Sequence, residues 1–593
     1  MSPAPTERKS EAINRTAGGD VVAASFTPPD TKGYVGSTAC AECHESYFES
    51  YRSHPMYTGG TRAVTDDNDS PDGSTTALAG LTRSLEASVS ESGAVVHSER
   101  MHDASGGLVY ADDVHMQYVL GSGRRAKAYL HQRGEILCSS PLNWFEASGD
   151  WGLNPGYTRD DPRRFDRRVQ ANCLHCHTGQ IELSERGSNR FSTNAIIESA
   201  IGCERCHGPG QAHVQFHEDS TTGVDPIVNP ADLDRPERES VCYQCHLQPS
   251  YSRILRPGRS HLDFRPGMKF EDVWTMVDAN TSVDSSGETK SVRQVQQMRE
   301  SACYVQSGSM SCTSCHDPHR SPSPAEAPAF FRGRCLDCHK SDDACAAPVQ
   351  DRQAKGGSCI ACHMPKLDVQ QAVHVSQTDH RVLRDAFQNR RLEAKSGIQF
   401  FDNQGDRLSA AERQRAIAIA IARKGPPYSD VLAEELNDLV SLFPTDAEVL
   451  IAHGSVCRLR GDTKSAIESF EKAAELPSSD ELALTSLVEI HYEAGRWPEA
   501  VAAAARLLKI NHTLSGILAR KADALANSGE QQKGIGAAKE ALILNPSLSV
   551  LHQWLAGQYD KNGDVGKQQY HQELFDRMQT AKPLPDVKRN EER

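Results

Sequence analysis

The sequence predicts a mainly α chain in two parts. The larger first part consists of short helices, long loops and a small β insertion, and an all-α solenoid of paired helices follows it. Three observations predict this. A pentapeptide, C-x-x-C-H, occurs seven times between Cys40 and His363. Between its first two copies lies a stretch rich in β-branched and aromatic residues. From about residue 390 the pentapeptide stops and a repeat of 34 residues takes over.

The copies, motifs 1 to 7 below, are Cys40-Ala-Glu-Cys43-His44, Cys173-Leu-His-Cys176-His177, Cys203-Glu-Arg-Cys206-His207, Cys242-Tyr-Gln-Cys245-His246, Cys312-Thr-Ser-Cys315-His316, Cys335-Leu-Asp-Cys338-His339 and Cys359-Ile-Ala-Cys362-His363. Two thiols at this spacing can each form a thioether to a porphyrin edge. The histidine directly after them then sits under the ring, where its imidazole can bind iron. Paired C-x-x-C also makes four-thiolate zinc sites, but zinc does not require a histidine after every second cysteine. A disulfide inside the motif closes a tiny loop and constrains little. The motifs therefore predict seven covalently bound haem c groups, with the seven motif histidines as proximal iron ligands.

In chain order, residues 1–30 read as a disordered polar lead and 31–390 as the cofactor-bearing domain. Motif 1 is followed by Tyr47, Phe48, Tyr51 and Ser53-His54-Pro55. The β-rich insertion runs over about 84–145, with a hairpin near Arg133-Gly134-Glu135, and holds His97, His102, His115 and His131. Motifs 2, 3 and 4 follow at intervals of 30 and 39 residues, and motifs 5, 6 and 7 at 23 and 24. Such spacing leaves room for a helix and a turn each, so the rings must be close. Besides the seven histidines that close the motifs, residues 31–390 hold twelve more, His175 inside motif 2 among them, enough for seven sixth positions. The candidate distal ligands are His54, His115, His213, His261, His319, His374 and His380; His175, inside motif 2, and His217, four residues after His213, are further imidazoles. Met56 and Met364 fit packing better than ligation. Cys303 and Cys345 bracket motifs 5 and 6 and either form a disulfide or stay as free thiols, and Cys138 and Cys457 are spare.

Apolar residues make up 38% of the 593, low for several cores, and porphyrins would supply apolar surface. The net charge of −14 excludes nucleic acid as an expected partner. Thioether attachment takes place outside the cytoplasm, so a periplasmic or other extracytoplasmic location is expected. No secretory signal is visible in the first residues, and the longest apolar run, Ala416 to Ala422, is too short to cross a bilayer.

Residues 391–445 read as a helical linker or degenerate repeat. Over 446–580, Gly461, Gly495, Gly529 and Gly563 recur every 34 residues, each in a turn between helices. Small residues follow five positions later at Ala466, Ala500 and Gly534, where paired helices must approach closely. This is the tetratricopeptide pattern, whose concave face is a usual protein or peptide site. Residues 581–593 form a charged tail.

Motif 1 with its aromatic residues and Ser-His-Pro resembles the cytochrome c-554 type of multihaem domain. The segments YVLGSG, IGCERCHGPG, VCYQCH, CTSCHDPH, CHMPK and TDHRV together look like bacterial multihaem cytochromes with C-terminal tetratricopeptide repeats. The resemblance implies electron transfer in a mostly helical, haem-packed domain. The leading expectation is an electron carrier whose repeats dock a redox partner. The alternative is a multihaem oxidoreductase acting on a small nitrogen or sulfur compound at one open-coordination haem; no altered motif marks such a site. A third reading makes the repeats primary, as an assembly scaffold.

Overall fold

A computed structural model describes residues 32–64, 74–76, 82–121, 126–146, 148–158, 163–184, 187, 189–247, 252–278, 294–340, 345–366, 378–384 and 398–581. The lead, the charged tail beyond 581 and His374 lie outside them.

Each motif is built on about one helical turn. The amide of the motif histidine donates to the carbonyl of the first cysteine in motifs 1, 3, 5 and 6, at 2.9, 3.0, 3.0 and 2.9 Å. That i to i+4 bond brings the first thiol and the imidazole to one side of the turn. The carrying elements are the helices Ser37–Ala41, Ala171–His177, Glu204–His207, Arg235–His246, Ala327–Leu336 and Cys359–His363, and the 3-10 turn Cys312–Ser314.

Strand structure extends beyond 84–145. A four-stranded antiparallel meander runs through Ser74–Thr76, Arg83–Val89, Val95–His102 and Leu108–His115. Beside it a six-stranded sheet orders Thr61–Ala63, Tyr118–Leu120, Ala126–Arg133, Ile136–Phe145 and Arg167–Arg168, with Asp150–Leu153 also paired to Ile136–Phe145. The hairpin at Gly134 is present, with the left-handed φ of 61° that its two-residue turn needs. One core joins both sheets, built from residues such as Leu85, Val95, Val119, Tyr129, Leu142 and Trp151. A second core packs the motif 2 helix, through Leu174, against Leu130, Leu137 and the hairpin Gln180–Leu183/Phe191–Glu198.

The helical part begins at Ala410–Lys424, opened by a capping box between Ser409 and Glu412, and Asp430–Leu442. Four helix pairs follow, from Ala447–Leu459 with Thr463–Ala474 to Ser549–Lys561 with Val565–Gln579. Within each pair the first helix ends on a glycine at φ 85°, 67°, 86° or 70°, the left-handed stop that terminates a helix without a Cβ clash. Ala466 and Ala500 are buried where helices meet, and a Cβ on Gly534 would lie 2.6 Å from the Ala522 carbonyl oxygen. Among the described residues no helix is long and apolar enough to cross a membrane.

One edge of the solenoid grips the β sheets. Asp480 pairs with Arg190 and Glu481 with Arg168. Asn545 accepts from Arg164 at 2.9 Å, and Arg577 pairs with Asp103 at 2.7 Å. These solenoid residues recur at roughly the repeat length, so the docked edge is a row of equivalent helix ends. Arg164 is the buried centre of this contact, also bonding Glu99 and Asp112 at 2.7 Å each.

Candidate haem-binding site

Motifs meet one another through their cysteines, two pairs of them across other motifs in the sequence. The thiol of Cys40 lies against Cys203, Cys176 against Cys245, Cys242 against Cys312, and Cys335 against Cys359. A hydrogen bond with Cys40 lowers the Cys203 thiol below its ordinary range, and the Cys245 thiol does the same for Cys176. Burial pushes Cys206 up to about 11. Motifs 1 and 3 are also tied by Glu204, whose carboxylate accepts the amides of Val35 and Gly36 at 2.9 and 2.8 Å. Cys303 and Cys345 are both free thiols, as are Cys138 and Cys457.

Three histidine pairs face one another. Ring centres are 6.2 Å apart for His44 and His213, 6.0 Å for His207 and His319, and 6.3 Å for His316 and His380, with planes within 17°, 9° and 24° of parallel. Two imidazoles binding one ion from opposite sides at about 2.0–2.1 Å place their ring centres roughly 6 Å apart. One member of each pair is anchored at Nδ1 by an oxygen: His213 by Asp225 at 2.8 Å, His207 by the Val228 carbonyl at 2.9 Å, His380 by the Thr378 carbonyl at 2.9 Å. An oxygen acceptor there keeps the proton on Nδ1 and turns the Nε2 lone pair outward. The donor set therefore fits iron held between paired imidazoles, beside thiols spaced for thioether links. His363 is anchored in the same way, by the Leu383 carbonyl at 2.7 Å.

The other candidates stand differently. The Nδ1 of His54 accepts the Met56 amide at 3.1 Å, and that of His261 accepts the Trp274 indole N–H at 3.1 Å. Both therefore carry their proton on Nε2, the opposite tautomer. His115 is exposed on its strand, paired across to Val96. Buried His175 takes a hydrogen bond from Arg205 of motif 3 on Nδ1 at 2.8 Å. Sequence reading passed over Asp225, whose second oxygen also meets His217 Nε2 at 2.9 Å, and over the Val228, Thr378 and Leu383 carbonyls. No local pattern marks such anchors.

A family model described as cytochrome c554 and c-prime matches residues 158–208, and one described as a doubled CXXCH motif matches residues 305–344. No curated protein matches the chain. Similar solved structures include the MamA 41-end from Desulfovibrio magneticus RS-1, 19% identical over 28% of this chain and 94% of that one, with a TM-score of 0.26. Another is MamA AMB-1, 21% identical over 28% and 96%, with a TM-score of 0.25. Motif chemistry and both family matches agree that the chain is a c-type cytochrome binding haem covalently. More narrowly, it is a multihaem cytochrome with a cytochrome c554-type segment and a C-terminal array of tetratricopeptide repeats.

Proposed function

We propose that the protein carries electrons along seven covalently bound haems in an extracytoplasmic compartment, with the repeat array docking a redox partner. The observation that carries this is the set of three opposed imidazole pairs, His44 with His213, His207 with His319 and His316 with His380. Iron saturated by two imidazoles has no position for substrate, which suits electron transfer without bond making. Asp225, holding the Nδ1 proton of His213, would raise that ligand's basicity. His177, His246, His339 and His363 are the proximal ligands of the remaining sites. Because one solenoid edge is engaged by the β sheets, the partner is expected on the concave face.

Mass spectrometry of the matured protein should find seven haem additions on the chain. Its oxidised spectra should be low-spin and unmoved by nitrite or hydroxylamine. Replacing His213 by alanine should turn one low-spin signal high-spin, whereas His115→Ala should leave all signals unchanged. A high-spin signal in the unaltered protein that responds to either compound would move the reading to an oxidoreductase.

A further inference from the structure

The helix Gln211–Glu218 follows motif 3 and carries two histidines one turn apart, His213 and His217. At that i, i+4 spacing both rings lie on one face of the helix. Beyond the helix the chain turns back on itself. The Ser220 amide donates to the His217 carbonyl at 3.2 Å, and the Thr221 amide to that of Phe216 at 2.9 Å. The returning segment sets Asp225 against the two rings.

Three side chains converge there. Asp225 Oδ1 and Oδ2 lie 2.8 and 2.9 Å from His213 Nδ1, and Oδ2 lies 2.9 Å from His217 Nε2. The rings meet edge to face, with centres 4.7 Å apart. One ligand atom from each of the three lies within 4.8 Å of the others, and among the described residues no other such cluster of metal-binding side chains occurs. Anchoring the Nδ1 proton of His213 needs Asp225 alone, just as His207, His380 and His363 are each anchored by a single oxygen. A second imidazole, turned inward although its side chain is 61% exposed, is more than that task requires. Asp225 is itself held, its Oδ1 accepting the Ile227 amide at 3.1 Å. Outer support of this kind orients a metal ligand.

We infer that His213 Nδ1, His217 Nε2 and Asp225 hold a divalent transition-metal ion of the zinc class, with water completing a tetrahedron. Two imidazoles one helical turn apart on one face are a recurrent zinc-binding arrangement. The nitrogen donors suit zinc, copper or nickel rather than calcium or magnesium, which favour oxygen. The exposure of His217 gives the ion a way in from solvent.

The inference rests on the electron-carrier reading at one atom, since His213 Nε2 is the nitrogen assigned to iron opposite His44. Binding then exchanges protons for the ion. His217 moves its proton to Nδ1, while His213, with Nε2 committed to iron, releases its own to solvent. One imidazole thus links the ion to the iron site of motif 1, and occupancy by the ion tunes one haem among the seven.

Zinc chloride titrated into chelator-washed holoprotein tests this, read by calorimetry and by electron paramagnetic resonance. One zinc should bind per chain and shift one low-spin ferric signal, leaving the others in place. Losing an outer partner of a metal costs roughly 10–100-fold in affinity, and losing a direct ligand costs more. His217→Ala should therefore weaken binding by more than about 100-fold, with the haem count and the low-spin signals kept. His115→Ala, at an exposed histidine outside the site, should leave zinc binding unchanged. The inference is overturned if zinc fails to bind, or if it binds the His217→Ala protein as tightly as the unaltered one. Zinc held through His217 that moves no haem signal would overturn the sharing of His213. A high-spin, nitrite-responsive iron in the zinc-free protein would sink the carrier reading instead and leave the zinc stoichiometry as it was.

Discussion

The solenoid and the segment bearing motifs 5 to 7 are both helical, yet different forces hold them. Repeat helices bury apolar stripes against their neighbours: Leu484, Leu487 and Val488 on one, Ala503, Ala504 and Leu507 on the next. The helices Ala302–Ser307, Ala327–Leu336, Val349–Ala354 and Cys359–His363 hold no fully buried residue, only half-buried and exposed ones. Their lengths of 6, 10, 6 and 5 residues are too short to be stable alone. What gathers them is motif cysteines and histidines brought face to face. Periodic packing makes one region, and covalently attached porphyrin is expected to make the other.

The largest effect should come from blocking attachment. A chain matured without haem should be cut readily by protease within 302–363, while a resistant fragment starting near residue 410 survives. Equal protection of the two regions would break the contrast.

Next is the joint between the regions. Arg164 is 1% exposed and Glu99 is fully buried. Glu99 also accepts from Tyr110 at 2.7 Å and faces Arg83 at 3.4 Å. Removing the guanidinium leaves a buried carboxylate with only the Tyr110 hydroxyl and the longer Arg83 contact, at a cost of about 3–5 kcal/mol. Arg164→Met should therefore lower the unfolding free energy of the β sheets by that amount, read from the denaturant midpoint and slope, and expose the Asn545 edge to protease. The haem count should not change. A shift below about 1 kcal/mol would mean that water reaches Glu99.

A pH-dependent effect belongs to the same sheets. His97 is fully buried, its Nδ1 bonded to Ser140 Oγ at 2.7 Å and its ring against Tyr129 and Trp151. Burial first, and then the nearby His131, lower it to about 3. The unfolded chain, with an ordinary histidine near 6.5, thus binds more protons between the two values. Stability must fall as pH drops through that window, by about 1.4 kcal/mol per unit from this group. His97→Gln should flatten the acid limb of the unfolding profile; an unchanged slope would assign it to other groups.

Legibility followed the range of the interactions. The glycine stops and small residues of the solenoid repeat along the chain, so Gly461 and Ala466 could be read in place. Haem attachment was equally local, since thiols and imidazole share one turn. Distal pairing was not. His44 meets His213 across most of the β region, and nothing near His213 names that partner. His115 looked equivalent in sequence but faces outward from a strand. The hairpin Gln180–Leu183/Phe191–Glu198 escaped notice because its first strand has four residues and its pairing is irregular. The solenoid's grip on Arg164, Arg168 and Arg190 was also invisible, because a lone arginine looks the same on a surface as in an interface.

The finest test lies inside the solenoid, between two glycines five residues apart. A Cβ on Gly534 would press on the Ala522 carbonyl oxygen at 2.6 Å and on the Ala526 amide nitrogen at 3.3 Å. Gly534→Ala must therefore spread two helices, at about 1–3 kcal/mol. At Gly529 a Cβ meets nothing within 4 Å, but the backbone sits at φ 86°. Gly529→Ala should then cost only the left-handed penalty of about 1–2 kcal/mol. An asparagine there, which tolerates that conformation better, should recover part of the loss, whereas asparagine at Gly534 should be worse than alanine. Thermal unfolding of the four variants separates crowding from backbone strain. If asparagine rescues neither site or both, the helix-stop role given to the 34-residue glycines is wrong.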